Sequence, residues 1–155
     1  MAIKIVNGDL LETSCNLILH QVNCQGKMNS GVAKQIREKW YRVYEKFINT
    51  YNYTPNSKDL LGQVESICIS DCGEQYIINL YSQFEYGYNG ERFTDYEALY
   101  KCLEQVGDVA RKRNLTVALP YHMGCDRGGA QWSIVYEMIK HTMLDVNVTI
   151  YKYNK

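Results

Sequence analysis

The sequence predicts an α/β fold with a mixed, mostly parallel β-sheet. Two short apolar runs, at residues 17–19 and 117–119, each precede a glycine-containing loop that leads into an amphipathic helical pattern. A strand, a loop and a helix in that order are the repeating unit of α/β proteins. A pair of strand-like runs at 64–69 and 75–81, joined around Asp71-Cys72-Gly73, indicates a hairpin. Because a hairpin adds an antiparallel element, a purely parallel sheet is not expected.

The first part of the chain is expected to form two strands and one long helix. Residues 3–7 form a strand that ends at the Asn7-Gly8 turn, and residues 17–22 form a strand whose continuous apolar run is typical of burial on both faces. From near Gly31 to Tyr51, apolar residues recur every three or four positions, which predicts a helix with one core-facing side. The charged residues of that segment fall on the opposite, solvated side.

The C-terminal part is expected to form two helices and two strands. Thr94 and Glu97 match a capping box, which predicts a helix that ends near Arg113. A buried strand at 117–119 then ends at Pro120. A helix at 132–144 and a closing strand at 148–151 complete the sequence.

Composition limits the class of protein. The chain has 155 residues, 46% of them hydrophobic and 22% charged, so we expect a single domain over 1–155. Seventeen basic and seventeen acidic residues cancel, which gives no electrostatic reason to expect binding to nucleic acid or to an anionic membrane. No apolar run is long enough for a signal peptide or a membrane span, and we therefore expect a cytoplasmic protein.

The cysteines are expected to be reduced. They lie at positions 15, 24, 68, 72, 102 and 125, and none forms a CxxC pair. An even number of cysteines is not an indication of disulfides in a cytosolic chain. Cys68 and Cys72 are spaced CxxxC but have no histidine cluster nearby, so we expect no metal site.

Two glycine-containing loops are the candidate functional segments. The first follows the strand at 17–22 within the stretch HQVNCQGKMNSGVA (20–33), and the second lies in LPYHMGCDRGGAQW (119–132). Each connects a strand end to a helix N-terminus, where free backbone N–H groups favour an anionic ligand such as phosphate. Such loops also serve as ordinary strand-to-helix turns, and the first is neither a Walker sequence nor GxGxxG. Because parallel strands share one carboxyl edge, the two loops are expected to converge there.

Three motifs in order resemble the macro domain family: GDL at 8–10, HQVNCQGKMNSGVAKQI from 20 and PYHMGCDRGGAQW from 120. The likeness is closest to small stand-alone members similar to ADP-ribose 1″-phosphate phosphatases, the group that also includes ADP-ribosyl-glutamate hydrolases. The resemblance implies a three-layer α/β/α sandwich with about six strands. It also implies ADP-ribose or a derivative as the ligand, with no cofactor.

The resemblance assigns ligand contacts by position. Asp9 matches the family's adenine-binding aspartate, although a loop aspartate that bonds its own backbone is the alternative. Asn23 matches the asparagine that meets the distal ribose, and Tyr153, with Tyr151 as the second choice, is the candidate for stacking on adenine. The predicted ligand-binding residues are Asp9, Leu10, Asn23, Gly26, Asn29, Ser30, Gly31, Val32, Ser82, Gln83, Pro120, Gly124, Cys125, Gly128, Gly129 and Tyr153.

The candidate catalytic residues are His20, His122 and Asp126, because each could exchange a proton with a substrate or a water. A histidine near a buried strand end, such as His20, is also commonly a satisfied core residue. Asp126 replaces a glycine that is usual in the family, and its alternative role is a solvent-exposed pair with Arg127. In the related glutamate-linked hydrolases a lysine nucleophile ends the fourth strand. Gln83 matches that position here, and an amide cannot form a Schiff base.

The expected function is removal of phosphate from ADP-ribose 1″-phosphate. One alternative is an ADP-ribosyl hydrolase that acts on protein or nucleic acid without the lysine. A second is a binding module for ADP-ribose or a related nucleotide signal that performs no chemistry. We expect no membrane partner, and nucleic acid only as an ADP-ribosylated substrate.

Overall fold

A computed structural model describes residues 2–87 and 91–153. In that part of the chain the strands are β1 (Ile3–Asn7), β2 (Leu17–Asn23), β3 (Val64–Cys68), β4 (Tyr76–Gln83), β5 (Val117–Pro120) and β6 (Val148–Lys152). The α-helices are α1 (Gly31–Lys39), α2 (Tyr41–Tyr53), α3 (Tyr96–Arg113) and α4 (Trp132–Thr142). Short 3₁₀ turns lie at Leu10–Glu12 and Ser57–Leu60.

The described strands form one six-stranded sheet in the order β1-β6-β5-β2-β4-β3. Neighbouring strands pair in parallel except at β3, which runs antiparallel to β4 with Ile67 opposite Ile77. The hairpin and the mixed, mostly parallel sheet predicted from sequence are therefore confirmed. Strands β2, β4 and β5 lie side by side, so the segments that follow them emerge at the same edge.

Helices cover both faces of the sheet. Leu19 on β2 packs with Leu103 of α3 and Ile139 of α4 in one core cluster. Ile18, the residue before Leu19, packs with Phe47 of α2 on the opposite face of the sheet. Successive side chains of a strand point to opposite faces, and here both faces are buried. This arrangement is the three-layer α/β/α sandwich that the family resemblance implies.

The single helix predicted over 31–51 is two helices. Trp40 has φ −133° and ψ 83°, which ends α1 and precedes α2. The apolar stripe continues across the break, because Ile36, Val43 and Phe47 are all fully buried in the same cluster. A break of one residue leaves the three-and-four spacing almost unchanged, so periodicity alone does not reveal it.

The capping box predicted at Thr94 is wrong. Asp95 is the N-cap of α3, and its Oδ1 accepts a hydrogen bond from the Ala98 N–H at 3.0 Å. Thr94 is instead 1% exposed and donates its hydroxyl to the Gly124 carbonyl at 2.8 Å. Threonine and aspartate both cap helices well. Here the Thr94 hydroxyl is bonded to Gly124 in a distant loop, and Asp95 is the cap.

Among the described residues, no helix is both long enough and apolar enough to cross a membrane. Their cysteines are all free thiols.

Candidate functional site

A cavity of about 340 Å³ opens at the carboxyl edge of β2, β4 and β5. Its walls come from the segments that follow these three strands. The lining includes residues 27–30 of the first glycine-containing loop, residues 31–33 at the start of α1, Gln83 at the end of β4, Tyr86 and Gly87 after it, and residues 120–124 and 126–128 from the end of β5 and the second loop. The volume lies at the lower end of the range of small-molecule sites.

Asn23 shapes the first loop from the end of β2. Its Oδ1 accepts hydrogen bonds from the N–H groups of Gln25 (2.9 Å) and Lys27 (3.3 Å), and its Nδ2 donates to the Lys27 carbonyl at 3.0 Å. These bonds fold the loop back on the strand and place Lys27 at the cavity. Asn23 also lines the cavity, but most of its hydrogen-bonding capacity is used within the loop.

The N-terminus of α1 borders the cavity. Ser30, Gly31, Val32 and Ala33 all line it, and Asn29 lies beside them with its Oδ1 accepting from Arg37 at 3.1 Å. Ser30 is the N-cap but makes no side-chain capping bond within the described residues. The first N–H groups of a helix have no intrahelical partner, and the helix dipole is positive at this end. This surface therefore favours a negatively charged ligand group.

The second loop is packed too tightly for side chains at its glycines. Gly128 accepts hydrogen bonds on its carbonyl from Phe93 N–H (2.8 Å) and Thr94 N–H (2.9 Å). A Cβ at Gly128 would fall against Thr94 Oγ1 and the Gly124 carbonyl. Gly124 has φ 78°, which an L residue adopts at a cost. The segment before α3 thus supports the loop from behind.

A hydrogen-bonded group of neutral side chains lies beside the cavity between the three segments. Gln21 Nε2 donates to Gln83 Oε1 at 2.7 Å and to Thr94 Oγ1 at 2.9 Å. Ser82 Oγ donates to Gln21 Oε1 at 2.9 Å. Val22 lies opposite Tyr81 but Asn23 lies opposite Gln83, so β4 has one extra residue, Ser82, at this point. Such a bulge changes the direction of the following side chain.

The titratable residues that the structure brings to the cavity are His122, Asp126, Lys27 and Arg127, together with the two tyrosines Tyr86 and Tyr121. The His122 ring stacks on Tyr121 with centroids 4.0 Å apart and meets Trp132 edge-on at 5.7 Å. His122 also has φ 62°, a strained conformation for a residue with a side chain. Asp126 and Arg127 are both exposed. Acid–base chemistry at this cavity would therefore depend on His122 and Asp126.

His20 requires a correction. The side chain is 1% exposed, does not line the cavity, and its Nε2 contacts Asn79 Oδ1 at 2.6 Å. Burial lowers the pKa of His20 from 6.5 to about 4, although the hydrogen bond with Asn79 opposes the shift. His20 is thus a neutral core residue outside the cavity lining, and it differs from the satisfied core residue stated as the alternative because its buried Nδ1 has no hydrogen-bond partner among the described residues.

Asp9 and Tyr153 lie outside the cavity lining. Asp9 caps the 3₁₀ turn Leu10–Glu12, and its Oδ1 accepts from the Leu11 N–H at 2.9 Å, as in the backbone-bonded alternative. Tyr153 is 60% exposed just beyond β6. The hydroxyl of Tyr151 donates to Thr13 Oγ1 at 2.8 Å, so that side chain is held by its packing. The adenine contacts of Asp9 and Tyr153 stay predictions.

Five other predicted ligand residues also lie outside the lining: Leu10, Gly26, Ser82, Cys125 and Gly129. Leu10 is in the core, and Ser82 is fully buried behind Gln21. Gly26 (φ 71°) packs against Tyr51, and Gly129 (φ 71°) packs against the backbone of Glu91 and Arg92. Burial, followed by the charge of Asp126, raises the pKa of the Cys125 thiol to about 11, so it is a poor nucleophile.

The remaining predicted residues do lie together at the cavity: Asn23, Asn29, Ser30, Gly31, Val32, Gln83, Pro120, His122, Gly124, Asp126 and Gly128. Sequence reasoning missed Gln21, Lys27, Tyr86, Tyr121 and Arg127, which also line it. Lys27, Tyr121 and Arg127 lie next to predicted residues in the sequence. A basic side chain in such a loop, as at Lys27 and Arg127, indicates an anionic ligand and could have identified these two. Nothing in the sequence marked Gln21 as a site residue, because a glutamine within an apolar strand is typical of a solvent-exposed position.

In the described part of the chain, no three His, Cys, Asp or Glu residues lie close enough to hold a metal ion.

No family model matches the chain. A protein of Enterobacteria phage T4, described as an uncharacterized 17.5 kDa protein in the tk-vs intergenic region, is 26% identical in an alignment of 160 positions that covers 87% of this chain and 86% of that protein. A Bacteroides thetaiotaomicron protein of unknown function has a solved structure with a TM-score of 0.86 at 23% identity, over 98% of each chain.

Two further solved structures share the fold of this chain. The macrodomain of Thermus aquaticus DarG matches with a TM-score of 0.79 at 20% identity, over 99% of each chain. Thermosipho africanus DarTG in complex with ADP-ribose matches with a TM-score of 0.78 at 20% identity, over 97% of this chain and 41% of that one. The resemblance carried by the sequence motifs is confirmed at the level of structure: this chain has the macrodomain fold.

Proposed function

We propose that the chain binds ADP-ribose or a derivative in the cavity and removes phosphate from ADP-ribose 1″-phosphate. The observation that carries the binding proposal is the convergence of two glycine-containing loops and the N-terminus of α1 on one cavity. Backbone N–H groups at a helix N-terminus and in glycine loops bind phosphate groups in many proteins. Lys27 and Arg127 add positive charge at the same place.

The comparisons support the same ligand. The Thermosipho africanus protein was solved with ADP-ribose, and its fold matches nearly the whole of this chain. The GDL motif follows β1 and the two loop motifs follow β2 and β5, so all three lie at the carboxyl ends of parallel strands. Fold alone does not set function, so the loop residues carry the argument.

Phosphate removal would require a proton donor and a proton acceptor near the phosphate. Water attacks phosphorus, the bond between phosphorus and the ribosyl oxygen breaks, and that oxygen leaves with a proton. His122 can supply this proton while Asp126 accepts one from the attacking water, or the two can exchange these roles. Both residues line the cavity, and each carries a titratable group.

The binding-module alternative is favoured by one observation. Gln21, Gln83 and Thr94 place uncharged groups beside the cavity, and none of them can act as a nucleophile or base at neutral pH. If His122 and Asp126 do not reach the phosphate, this site can bind but not react. The same amide at position 83 gives no support to the lysine-dependent hydrolase mechanism.

Calorimetric titration with ADP-ribose, followed by a phosphate-release assay on ADP-ribose 1″-phosphate, separates these functions. Saturable one-site binding with phosphate release supports the proposal in full. Binding without release would favour the module, or a hydrolase of another linkage. If ADP-ribose does not bind, the proposal is wrong and only the fold is shared.

A further inference from the structure

The donor and the acceptor in the hydrogen bonds around Gln21 can be assigned from the chemistry of its partners. The Gly124 carbonyl oxygen can only accept, so the contact at 2.8 Å uses the single hydroxyl hydrogen of Thr94. Thr94 Oγ1 must then accept from Gln21 at 2.9 Å, which identifies the contacting Gln21 atom as the amide nitrogen. The other end of Gln21, its carbonyl oxygen, accepts from the Ser82 hydroxyl at 2.9 Å.

This direction fixes the orientation of Gln83. Because the Gln21 nitrogen is a donor, the Gln83 atom that it meets at 2.7 Å must be the carbonyl oxygen. The Gln83 amide nitrogen is therefore on the side away from Gln21. Among the described residues none accepts a hydrogen bond from that nitrogen, and Gln83 lines the cavity.

Two buried hydroxyl groups hold Gln21 in this orientation. Ser82 is fully buried and Thr94 is 1% exposed, so the partners that fix Gln21 are themselves shielded from water. Gln21 packs close to the second loop, because its amide atoms lie 2.9 Å from where a Cβ would stand at Gly124 and at Gly128. A reversed Gln21 would place its carbonyl oxygen against Thr94 Oγ1, whose hydrogen is donated to the Gly124 carbonyl, and would require Gln83 to turn as well, which is unfavourable.

We propose that Gln21 is a positioning residue that turns the carboxamide N–H₂ of Gln83 into the cavity, where it donates a hydrogen bond to an oxygen acceptor of the ligand. The inference rests on the proposed ADP-ribose binding and deepens it. The acceptor is a phosphoryl or hydroxyl oxygen, and the same geometry disfavours a ligand that presents an ammonium group at this point. Gln83 is thus a specificity residue whose orientation is set from three segments of the chain.

Replacement of the donor nitrogen of Gln21 by an acceptor oxygen tests the proposal. In Gln21→Glu an oxygen replaces the nitrogen that faces Gln83, so Gln83 should turn its nitrogen toward Glu and its carbonyl oxygen toward the ligand. We expect the Kd for ADP-ribose to rise about tenfold or more, since a lost hydrogen bond to a charged group has effects of this order. Gln105→Leu is the matched control, because Gln105 donates to the carbonyls of Gly62 and Lys101 away from the cavity.

A double-mutant cycle separates positioning from the added charge and from damage to the fold. In a Gln83→Leu background there is no amide to turn, so the Gln21→Glu substitution should have an effect at least about fivefold smaller than in wild type. Equal effects in both backgrounds would overturn the proposal while leaving ADP-ribose binding intact. Failure of the wild-type protein to bind ADP-ribose would overturn both. In wild type, the Gln83 side-chain N–H₂ resonances should also shift when ADP-ribose is added, and unshifted resonances under saturation would contradict the proposal.

Discussion

At the scale of single residues, His122 combines a titratable ring with a left-handed backbone, φ 62°, at the edge of the cavity. Strain of this kind costs on the order of 1–3 kcal/mol and persists only where the surroundings hold it. Here the stacked ring of Tyr121 and the turn from Cys125 N–H to the His122 carbonyl (2.8 Å) hold the residue.

His122→Ala should lower phosphate release by about a hundredfold or more, as expected for the loss of a general acid or base. The Kd for ADP-ribose should change little, because the loops keep their backbone contacts. His141→Ala is the control, since His141 is exposed on α4 beside Tyr100. Retention of turnover in His122→Ala would remove this residue from the mechanism.

His20 makes stability depend on pH. Its pKa is about 4 in the folded protein and 6.5 when exposed, so the unfolded chain binds more protons between these values. The stabilisation from a neutral His20 is fully present above pH 6.5 and is lost as the pH falls toward 4. The shift corresponds to about 3 kcal/mol.

Urea unfolding at a series of pH values between 4 and 7 checks this prediction. His20→Gln should flatten the pH dependence by about that amount, whereas His141→Gln should not. Parallel curves for wild type and His20→Gln would show that another group causes any loss of stability.

At the scale of elements, the glycine-containing loop after β5 depends on close packing against the segment before α3. Gly128→Ala would push a methyl group against Thr94 and the Gly124 carbonyl, neither of which is the flexible end of a long side chain. We expect a loss of about 1–3 kcal/mol in unfolding free energy and weaker ADP-ribose binding. Gly31→Ala is a comparison for unfolding free energy only, because no atom lies within 4 Å of its Cβ and its φ of 60° alone would cost about 1–2 kcal/mol. Equal binding by Gly128→Ala and wild type would contradict the proposed role of the loop.

The contact between α3 and α4 provides a prediction remote from the cavity. A Cβ at Gly107 would fall against the Thr142 carbonyl, which also accepts a hydrogen bond from Arg111 at 2.8 Å. Gly107→Ala should therefore lower stability, although alanine favours a helix by about 1 kcal/mol. ADP-ribose affinity at a temperature well below unfolding should stay the same. A more stable Gly107→Ala protein would show that α4 can move away at little cost.

Elements were predicted well where local signals are strong and less well where distant contacts decide. The strand at 3–7 agrees with β1, and the break at Trp40 was missed because the buried stripe continues through it. Thr94 was predicted as a cap and is a support for the second loop. Gln21 bonds to residues 61 to 73 positions away along the chain, and no local pattern encodes such contacts.

At the scale of the whole molecule, the strand-loop-helix order and the hairpin predicted a mixed, mostly parallel sheet, and the family resemblance implied the helices on both faces. The carboxyl edge where the loops meet follows from that topology. The directions of the side chains within the site do not follow from the topology. His20 and Gln21 are neighbours on β2, and of these two only Gln21 lines the cavity.

Net charge provides a prediction for the molecule as a whole. Seventeen basic and seventeen acidic residues give a formal net charge of zero, so no long-range attraction to a phosphate backbone is expected. An unmodified DNA or RNA oligonucleotide should not bind at about 0.1 M salt, while ADP-ribose should. Fluorescence anisotropy with labelled oligonucleotides checks this, and tight binding of the unmodified strands would contradict the assignment of the cavity to a small nucleotide ligand.

The most direct test of the central claim is an NMR titration of the ¹⁵N-labelled protein with ADP-ribose. We expect saturable shifts that are largest at the backbone amides of residues 31–33, at the start of α1, and of residues 124 and 126–128 in the second loop, which border one cavity. Amides at the far edge of the sheet, such as those of β3, should stay in place. Absence of saturable shifts, or shifts concentrated away from both loops, would contradict the assignment of this cavity as the ADP-ribose site.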